Sequence, residues 1–340
     1  MKTADFDYSL PRERIAQTPL EPRDASRLLV LHRDTGLLEH RVFREITDYL
    51  RPGDLLVANE SRVIPARLFG HKAGSGGKVE LLLLNRRDDL TWEALVRGRR
   101  VAVGATIEFA EQLSALVQAI TETGSRLVRF DRAVEPFLDR LGVLPLPPYI
   151  HTKLADPGRY QTVYARVQGS AAAPTAGLHF TPELVARIQG MGVGFSCGTL
   201  HIGLDTFKPI QEESVEEHHI HTEYCLLPAE TAQAVQRARS QGGRVIAVGT
   251  TAVRTLESAA RLVDGEWRVE PFAGPTSLYI YPGYTFHAID GMITNFHLPR
   301  STLLCLVSAF TGKANMDGAY TEAIRLGYRF YSFGDAMLLL

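Results

Sequence analysis

Residues 244–263 read RVIAVGTTAVRTLESAARLV, and this stretch decides the fold class. RVIAVG is a short apolar run of the kind that forms a buried strand. The chain continues without a spacer into TTAVRTLESAARLV, whose apolar positions 252, 253, 256, 260 and 263 share one face of a helix. A buried strand that leads straight into an amphipathic helix predicts a sheet covered by helices, which is an α/β fold.

The same alternation fills the C-terminal half. TPELVARIQGMG (181–192) predicts a helix with Thr181 as its N-cap, and VGFSCGTLHIG (193–203) predicts a strand. PAETAQAVQRARSQGG (228–243) predicts a helix that ends at glycine. STLLCLVSAFTG (301–312) predicts another, with Ser301 as its N-cap. We therefore expect a larger α/β domain with a mixed sheet.

A different pattern occupies residues 69–150. Short strand-like pieces separated by turns read KVELLLL, TWEALVR, ATIEFA and SRLVRF, and PLPPYI (145–150) closes the region. Before it, LLVLHRDTGLLEHRVF (28–43) predicts two strands around a turn at 34–36. The interpretation is a main α/β domain of residues 1–68 plus 151–340, interrupted by a small all-β domain of residues 69–150.

Composition excludes several classes of protein. The 340 residues are 45% hydrophobic with a formal net charge of −1, which is typical of a globular chain and not of a strongly basic nucleic-acid binder. No apolar run approaches the roughly 18 residues of a membrane span, and the N-terminal residues lack the apolar segment of a secretion signal. Cys197, Cys225 and Cys305 form no CxxC pair, so we expect reduced thiols and a cytoplasmic location.

The basic residues are unevenly placed. Arginine outnumbers lysine 31 to 6, and residues 62–100 hold nine basic against four acidic side chains. This local excess is consistent with a nucleic-acid-binding face, and equally with a bias in codon usage.

Three junctions share one physical form, a polar segment directly before a helix start. They are Gly249-Thr250-Thr251, Gly177-Leu178-His179-Phe180 before Thr181, and Asn295-Phe296-His297-Leu298-Pro299 before Ser301. Helix N-termini favour anions because their N–H groups are free, so the junctions predict a ligand site. Simple helix capping is the alternative for each junction taken alone.

Histidines sharpen this prediction. His179 and His297 occupy two of the junctions, and His201 lies in a predicted strand. Near neutral pH a histidine can act as acid or base, although an isolated histidine is more often structural. HHIHTE (218–223) suggests a metal, but HExxH and a cysteine partner are missing, so we predict hydrogen bonding by His218, His221 and Glu223 and no metal.

The glycine-rich segments do not match known phosphate-binding motifs. GSGGK (74–78) lacks the spacing of a P-loop, and GMGVG (190–194) follows a helix where a dinucleotide fingerprint follows a strand. No GxSxG segment is present. A nucleotide-like ligand would therefore not be held by a standard Rossmann fingerprint.

Twelve segments together carry a resemblance to a known family. They are FDYSLP (6–11), IAQTPLEPRDASRLLVL (15–31), RPGDLLVANESRVIPARLFG (51–70), PLPPYI (145–150), RYQTVYA (159–165), AAPTAGLHFT (172–181), TLHIGLDTF (199–207), HHIHTEY (218–224), GTTAVRTLES (249–258), YIYPGY (279–284), TNFHLPRSTL (294–303) and YRFYSFGDAML (328–338). In this order and at these spacings the chain resembles, over its full length, the S-adenosylmethionine:tRNA ribosyltransferase-isomerases of queuosine biosynthesis. Asp205, where the family pattern has glycine, and Glu60-Ser61 are small departures.

The resemblance implies a fold and a reaction. The family fold is a larger α/β domain interrupted by a β-barrel-like domain. The family transfers the ribosyl part of S-adenosylmethionine to a 7-aminomethyl-7-deazaguanine base in tRNA and isomerises it, which gives epoxyqueuosine and releases adenine and methionine. S-adenosylmethionine is then a co-substrate, no true cofactor is expected, tRNA is the partner, and we expect a monomer.

The reaction needs a base for the ribose 5′ proton and an acid for departing adenine. His179 and His297 are the first candidates, and Asp335 is a carboxylate that could act in catalysis, orient a histidine or bind a ribose hydroxyl. Arg254 could bind the methionine carboxylate or pair with Glu257. The expected substrate-binding residues are Thr175, Gly177, Thr199, His201, His218, His221, Glu223, Thr250, Arg254 and Asn295. Candidate tRNA phosphate contacts, which could also be ordinary solvated charges, are Arg62, Arg67, Arg97, Arg99 and Arg100.

Other functions remain open at this point. The alternatives are another kind of S-adenosylmethionine-dependent enzyme, a non-catalytic tRNA-binding protein and a metal hydrolase. The polar residues at the helix starts argue against phosphate binding alone, for which arginine and lysine suffice.

Overall fold

The structure is a computed structural model that describes residues 1–121, 124–203, 209–220 and 222–340. No helix within these ranges combines the length and the apolar character that crossing a bilayer requires.

Strands and helices follow one another along most of the chain. The strands are β1 (Arg27–Leu31), β2 (Leu38–Val42), β3 (Leu55–Asn59), β4 (Ser61–Val63), β5 (Arg67–Lys72), β6 (Lys78–Arg86), β7 (Thr91–Gly98), β8 (Thr106–Glu108), β9 (Ser114–Ile120), β10 (Arg126–Phe130), β11 (Gly142–Val143), β12 (Val167–Ser170), β13 (Gly194–Leu200), β14 (Glu223–Leu227), β15 (Val245–Val248), β16 (Ala260–Val263), β17 (Glu266–Val269), β18 (Phe272–Thr276), β19 (Gly291–Asn295) and β20 (Ala336–Leu339). The α-helices are α1 (Glu135–Leu141), α2 (Pro182–Gly190), α3 (Ala229–Ser240), α4 (Thr250–Ala259), α5 (Thr302–Thr311) and α6 (Lys313–Arg325).

The chain divides into two compact units. The larger contains residues 1–61, 148–167 and 173–340, and the smaller contains residues 62–147 and 168–172. The predicted division at 69 and 150 stays a prediction. Its first boundary lies further along the chain than that of the compact units, because β5 begins at Arg67 and pairs with β6 inside the smaller unit.

The larger unit is built on a nine-stranded mixed sheet, in the order β18-β14-β13-β3-β15-β19-β20-β1-β2. Its centre is parallel, since β13, β3, β15 and β19 run in the same direction. The next strand, β20, runs against β19, and β1 is parallel to β20. This confirms the predicted α/β class with a mixed sheet.

Both faces of this sheet are covered. Leu29, Val57 and Ala247 point into a core formed with α3, α4, α5 and α6. Their neighbours along the strands, such as Leu28 and Leu56, point into a second core with α2 and the 3-10 helix at Phe43–Tyr49. The apolar run of residues 245–248 is fully buried because side chains from a strand alternate between two covered faces.

Several strand ends lie together along one side of the sheet. The carboxyl ends of β3, β13, β15 and β19 lie there, together with the amino ends of β20 and β1. Asn295 at the end of β19 is in register with Ala336 at the start of β20. In open α/β sheets, ligands bind outside the carboxyl ends of the strands, so this edge is the first place to seek a site.

The smaller unit is an antiparallel barrel. Its sheet follows the order β11-β5-β6-β7-β10-β9-β8, and a further pairing of β5 with β8 closes six strands into a ring. This confirms the barrel-like fold that the resemblance implied, and the smaller unit also contains the short helix α1. The strand β9, whose sequence SALVQAI was not among the predicted pieces, is the member that links β10 to β8.

One predicted helix is wrong in its length. The apolar positions 260 and 263 were assigned to the helix after Gly249, but α4 ends at Ala259 and the next four residues form β16. β16 pairs with β17 around Asp264 and Gly265, which both have positive φ. An Asp-Gly pair is a strong hairpin signal, and in this segment it overrides the helical spacing.

Candidate functional site

The three helix junctions meet at the carboxyl edge of the large sheet. Residues of two of them, at 249–251 and 295–298, line one cavity, and Thr175 and Ala176, just before the third, complete its wall. Its walls are Tyr149, Ala173, Pro174, Thr175, Ala176, Ile202, Gly249, Thr250, Thr251, Thr294, Asn295, Phe296, His297, Leu298, Leu303, Tyr331 and Ser332. Since each junction follows or faces a strand end, the sheet topology gathers segments that are far apart in sequence.

The helix starts differ in how they are capped. The Oγ1 of Thr181 accepts from the Leu184 N–H at 3.1 Å, and the Oγ of Ser301 accepts from the Leu304 N–H at 3.2 Å. Both predicted N-caps are therefore confirmed. Gly249, with φ of 90°, offers no side-chain cap to α4. Thr250 and Thr251 at that start line the cavity, and the Thr251 hydroxyl has no hydrogen-bond partner among the described residues.

Asn295 is the centre of a hydrogen-bond network in the cavity wall. Its Oδ1 accepts from the Thr175 hydroxyl at 2.9 Å. Its Nδ2 lies 3.3 Å from the Tyr331 carbonyl and 3.1 Å from the Nε2 of His179. Because a carbonyl only accepts, it fixes the orientation of the amide, so Nδ2 donates to His179 as well. The amide joins β19, the segment before α2 and the loop before β20.

His179 stands behind Asn295 rather than in the wall of the large cavity. Its Nε2 accepts from Asn295, so the ring proton is on Nδ1 and faces the Oγ of Ser26 at 2.7 Å. The ring also stacks on Phe43, with centroids 4.9 Å apart. Burial, with smaller contributions from Arg329 and Arg23, lowers the pKa of His179 to about 3, so the imidazole is neutral at physiological pH.

His297 is in the wall itself. Its Nε2 lies 2.7 Å from the Thr294 hydroxyl, and Nδ1 has no hydrogen-bond partner within the described part of the chain. Two tyrosines hold its backbone: the His297 N–H donates to the Tyr320 hydroxyl at 2.9 Å, and the Tyr8 hydroxyl donates to the His297 carbonyl. Burial lowers the pKa of His297 to about 3 as well. A neutral imidazole can accept a proton, but it is not a ready acid at neutral pH.

Asp335 lines neither this cavity nor the smaller one beside His179. Its carboxylate accepts from the backbone N–H groups of Arg27 at 2.9 Å and of Arg329 at 2.8 Å, and burial raises its pKa. It touches no histidine among the described residues. Its contacts fix the loop 329–335 against β1, and this loop supplies Tyr331 and Ser332 to the cavity wall.

Tyr149, Tyr331 and Ser332 are wall residues that the sequence reasoning did not select. The Tyr149 hydroxyl lies 2.7 Å from the Ser332 hydroxyl, and the rings of Tyr149 and Tyr331 are 4.8 Å apart. They lie in the segments PLPPYI and YRFYSFGDAML. Their aromatic residues are the sequence signal for such a wall, because aromatic side chains can stack on a planar ligand.

Arg254 forms a different ion pair from the one proposed. It lies against Glu223, and both side chains are buried, while its Nε donates to the Leu278 carbonyl at 3.0 Å. Glu257, the expected alternative partner, instead accepts from the Tyr284 hydroxyl and the backbone of His287 and Ala288. Neither Arg254 nor Glu223 lines the cavity.

Other predicted binding residues also lie outside the walls. Thr199 is buried in β13, and the adjoining His201 has its pKa lowered by burial. His218 pairs with Glu212 at 2.8 Å, and His221 lies outside the described residues. Gly177 has a packing reason, since a Cβ there would lie 2.1 Å from the Tyr164 hydroxyl oxygen.

The candidate tRNA contacts all belong to the smaller unit. Arg62, Arg97, Arg99 and Arg100 are exposed, and Arg67 lies 3.3 Å from Glu80. Arg97 faces the same Glu80 across β6 and β7.

Among the described residues, no group of three or more His, Cys, Asp or Glu side chains is arranged to hold a metal ion.

Comparison with known proteins gives the family. The sequence profile described as "Queuosine biosynthesis protein" matches residues 3–339. The chain belongs to this queuosine biosynthesis family. Two relatives named S-adenosylmethionine:tRNA ribosyltransferase-isomerase are similar over 100% of both chains. The protein of Moorella thermoacetica is 56% identical over 345 residues, and that of Desulfitobacterium hafniense is 55% identical over 346.

A solved member of the queuosine biosynthesis family has the same fold. The crystal structure of S-adenosylmethionine tRNA ribosyltransferase from Thermotoga maritima is 43% identical, and the match covers 99% of this chain and 100% of the other with a TM-score of 0.57. Of the twelve segments that carried the resemblance, AAPTAGLHFT, TLHIGLDTF, GTTAVRTLES, TNFHLPRSTL, PLPPYI and YRFYSFGDAML all contribute wall residues. The family resemblance and the cavity thus concern the same residues.

Proposed function

We propose that this protein transfers the ribosyl moiety of S-adenosylmethionine to the 7-aminomethyl-7-deazaguanine base of tRNA and isomerises it. The products are epoxyqueuosine-tRNA, adenine and methionine. The observation that carries the proposal is full-length identity above 50% to relatives named for this transfer, together with a cavity to which six of the twelve resemblance segments contribute wall residues.

The cavity suits the donor. Its walls combine apolar and aromatic groups with a few polar side chains, as nucleoside sites do, and Thr175, Thr250 and Asn295 are the expected binding residues that reach it. S-adenosylmethionine acts here as a co-substrate, and no resident cofactor is proposed. Contacts to ligand from Thr199, His201, His218, His221 and Glu223 stay predictions.

His297 is the proposed base. The sulfonium of the donor acidifies the ribose 5′ carbon, and the free Nδ1 in the cavity wall can take that proton. His179 does not line the cavity. It is hydrogen-bonded to Asn295, which does, and it acts by orienting the Asn295 side chain. Because both imidazoles are neutral, the acid that assists adenine has to be another group or a histidine that has just received the 5′ proton.

The remaining residues are proposed for positioning and binding roles. Asp335 is proposed to position the loop that carries Tyr331 and Ser332, since its carboxylate is occupied by two backbone amides. A carboxylate-binding role for Arg254 competes with its contact to Glu223. Arg62, Arg67, Arg97, Arg99 and Arg100 are proposed to contact tRNA phosphates, which the exposure of four of them supports.

Product analysis tests the proposal. The protein is incubated with S-adenosylmethionine and tRNA that carries the precursor base, and the released small molecules are separated and identified. Free adenine and methionine in equal amounts are expected. S-adenosylhomocysteine would indicate a methyltransferase, and unchanged donor and tRNA would indicate a non-catalytic tRNA-binding protein.

A further inference from the structure

A second, smaller cavity lies on the other side of His179. Its polar side chains are Arg23, Ser26, Arg159, His179 and Ser332, and no carboxylate of the described residues lines it. Arg23 and Arg159 are cations that each carry several donors, and Ser26 and Ser332 carry hydroxyls, so the lining favours an anion.

Backbone carbonyls hold the two guanidiniums in place. Arg23 donates from Nη1 to the carbonyls of Gln161 at 2.9 Å and Leu178 at 3.3 Å. Arg159 donates to the carbonyl of Leu20. Carbonyl oxygens fix the position of a guanidinium but carry no formal charge, so the positive charge stays available to a ligand.

The surrounding charges leave room for an anion. Arg159 has one carboxylate within reach, Glu21 at 3.4 Å, and the Glu21 side chain is 78% exposed. Glu21 also attracts Arg23, and Asp156 does so to a smaller extent while its Oδ1 accepts from the Gly158 N–H. Arg23 and Arg159 repel each other, and burial together with this repulsion lowers the pKa of Arg23. Bringing like charges together in a partly desolvated cleft is typical of a functional site.

The small cavity adjoins the large one. Ser332 belongs to the walls of both, and His179 in the small cavity is hydrogen-bonded to Asn295 in the large one. The small cavity opens to solvent beside Leu20, which is exposed, and Glu21 next to it is exposed as well. A ligand with one part in the large cavity can therefore place an anionic group in the small cavity and continue outward.

We propose that the small cavity binds a backbone phosphodiester of the substrate RNA, next to the nucleotide whose base enters the large cavity. The inference rests on the proposed function, because it takes RNA as the substrate. The methionine carboxylate of the donor has related chemistry. The open rim favours the phosphodiester, since an RNA chain has to leave the cavity on both sides of the bound group.

Arg159→Gln tests the charge directly. Binding of an RNA stem-loop with the precursor base is measured by fluorescence anisotropy at several KCl concentrations. We expect about tenfold weaker binding and a plot of log K against log[salt] that is flatter by about 0.7 to 0.9, the value of one phosphate contact. Arg268→Gln is the matched control, because Arg268 is an exposed arginine of the same unit that pairs with Glu266 in β17.

Glu21→Gln distinguishes an effect of local charge on RNA binding from an effect of misfolding in Arg159→Gln. Removing the one carboxylate near Arg159 raises the local positive charge, and the Glu21 side chain itself is exposed. RNA binding should then tighten by about threefold, with a steeper salt dependence. Unchanged or weaker binding by this variant would overturn the proposal even if Arg159→Gln folded poorly.

Neutral phosphate analogues show which phosphodiester of the RNA binds in the small cavity. In a set of stem-loops, single phosphates are replaced by methylphosphonate. One position near the precursor base should weaken binding to the unaltered protein and have no further effect in Arg159→Gln. Equal sensitivity of both proteins at every position would contradict the proposal.

Three further outcomes can be told apart. If Arg159→Gln binds S-adenosylmethionine more weakly and RNA normally, the anion is the donor carboxylate and the phosphodiester proposal is wrong. If the unaltered protein releases no adenine, the proposed function fails. If it does release adenine while Arg159→Gln keeps full RNA affinity and salt dependence, only this site fails.

Discussion

The amide nitrogen of Asn295 lies 3.1 Å from the Nε2 of His179 and donates to it. The two residues are 116 positions apart in sequence, yet they join the end of β19 to the 3-10 turn before α2. The Tyr331 carbonyl fixes the orientation of the Asn295 amide, and the contact then settles the tautomer of His179. It therefore links the two histidine-containing junctions through a wall residue of the cavity.

Asn295→Asp should break the hydrogen bond to His179 while keeping the size of the side chain at position 295. A carboxylate there faces the Tyr331 carbonyl and favours a protonated His179, so the pKa of His179 should rise from about 3. We expect kcat to fall about 100-fold. The nitrogen chemical shifts of labelled His179 report its protonation directly. Asn315→Asp, which alters an amide bonded to two backbone carbonyls away from the cavity walls, is the control. A normal kcat in Asn295→Asp would contradict the network.

Tyr320→Phe should displace His297. It removes the acceptor of the His297 N–H, and an unpaired buried donor costs about 1–3 kcal/mol of stability. We expect a lower melting temperature and a kcat reduced several-fold with little change in KM for tRNA. Tyr284→Phe is a suitable comparison, because it also loses a hydroxyl bonded within the larger unit but lies outside the cavity walls. Equal kcat values for the two variants would show that the Tyr320 contact is only structural.

The buried histidines predict the pH dependence of stability. Both have pKa values of about 3 in the folded protein and about 6.5 when unfolded. Between these values the unfolded chain binds more protons, so stability is lost as pH falls from 6.5 toward 3. His297→Gln should reduce the loss of urea resistance between pH 7 and pH 5. An equal or larger loss in the variant would indicate that His297 is already protonated in the folded state.

The same lowered pKa values predict the pH dependence of catalysis. If His297 is the base, it is already deprotonated well below neutral pH. The kcat/KM profile of the unaltered protein should therefore show no rise centred near 6.5. A clear inflection there that disappears in His297→Gln would place the histidine pKa close to its ordinary value.

The barrel arginines predict a salt effect. Arg97→Ala and Arg99→Ala should each weaken tRNA binding and flatten its salt dependence by about 0.7 to 0.9, if each side chain contacts one phosphate. Arg132→Ala, also in the smaller unit and close to Asp131, is the matched control. Unchanged slopes for Arg97→Ala and Arg99→Ala would show that these side chains are ordinary solvated charges.

Sequence reasoning predicted the fold class because its signals are local. The strand at 245–248, the caps at Thr181 and Ser301 and the hairpin around 34–36 all depend on neighbours within a few residues. The end of α4 was wrong because two local signals conflicted, and the Asp-Gly turn prevailed over helical spacing.

Long-range contacts explain what the sequence did not show. Nothing in the sequence places Asn295 beside His179, or Arg254 beside Glu223 in place of the nearby Glu257. Likewise Asp335 looked like a catalytic carboxylate, and only the structure shows two backbone amides on it. Such pairings follow from strand order, which propensity and spacing do not contain.

Isotope transfer tests the proposed reaction most directly. The protein is incubated with precursor tRNA and S-adenosylmethionine that carries ¹³C in the ribose, and in a parallel sample ¹³C in the methyl group. The modified nucleoside is then analysed by mass spectrometry. We predict that the ribose label appears in the tRNA, that the methyl label does not, and that His297→Ala abolishes the transfer. Methyl label in the tRNA, or tRNA of unchanged mass, would contradict ribosyl transfer by this protein.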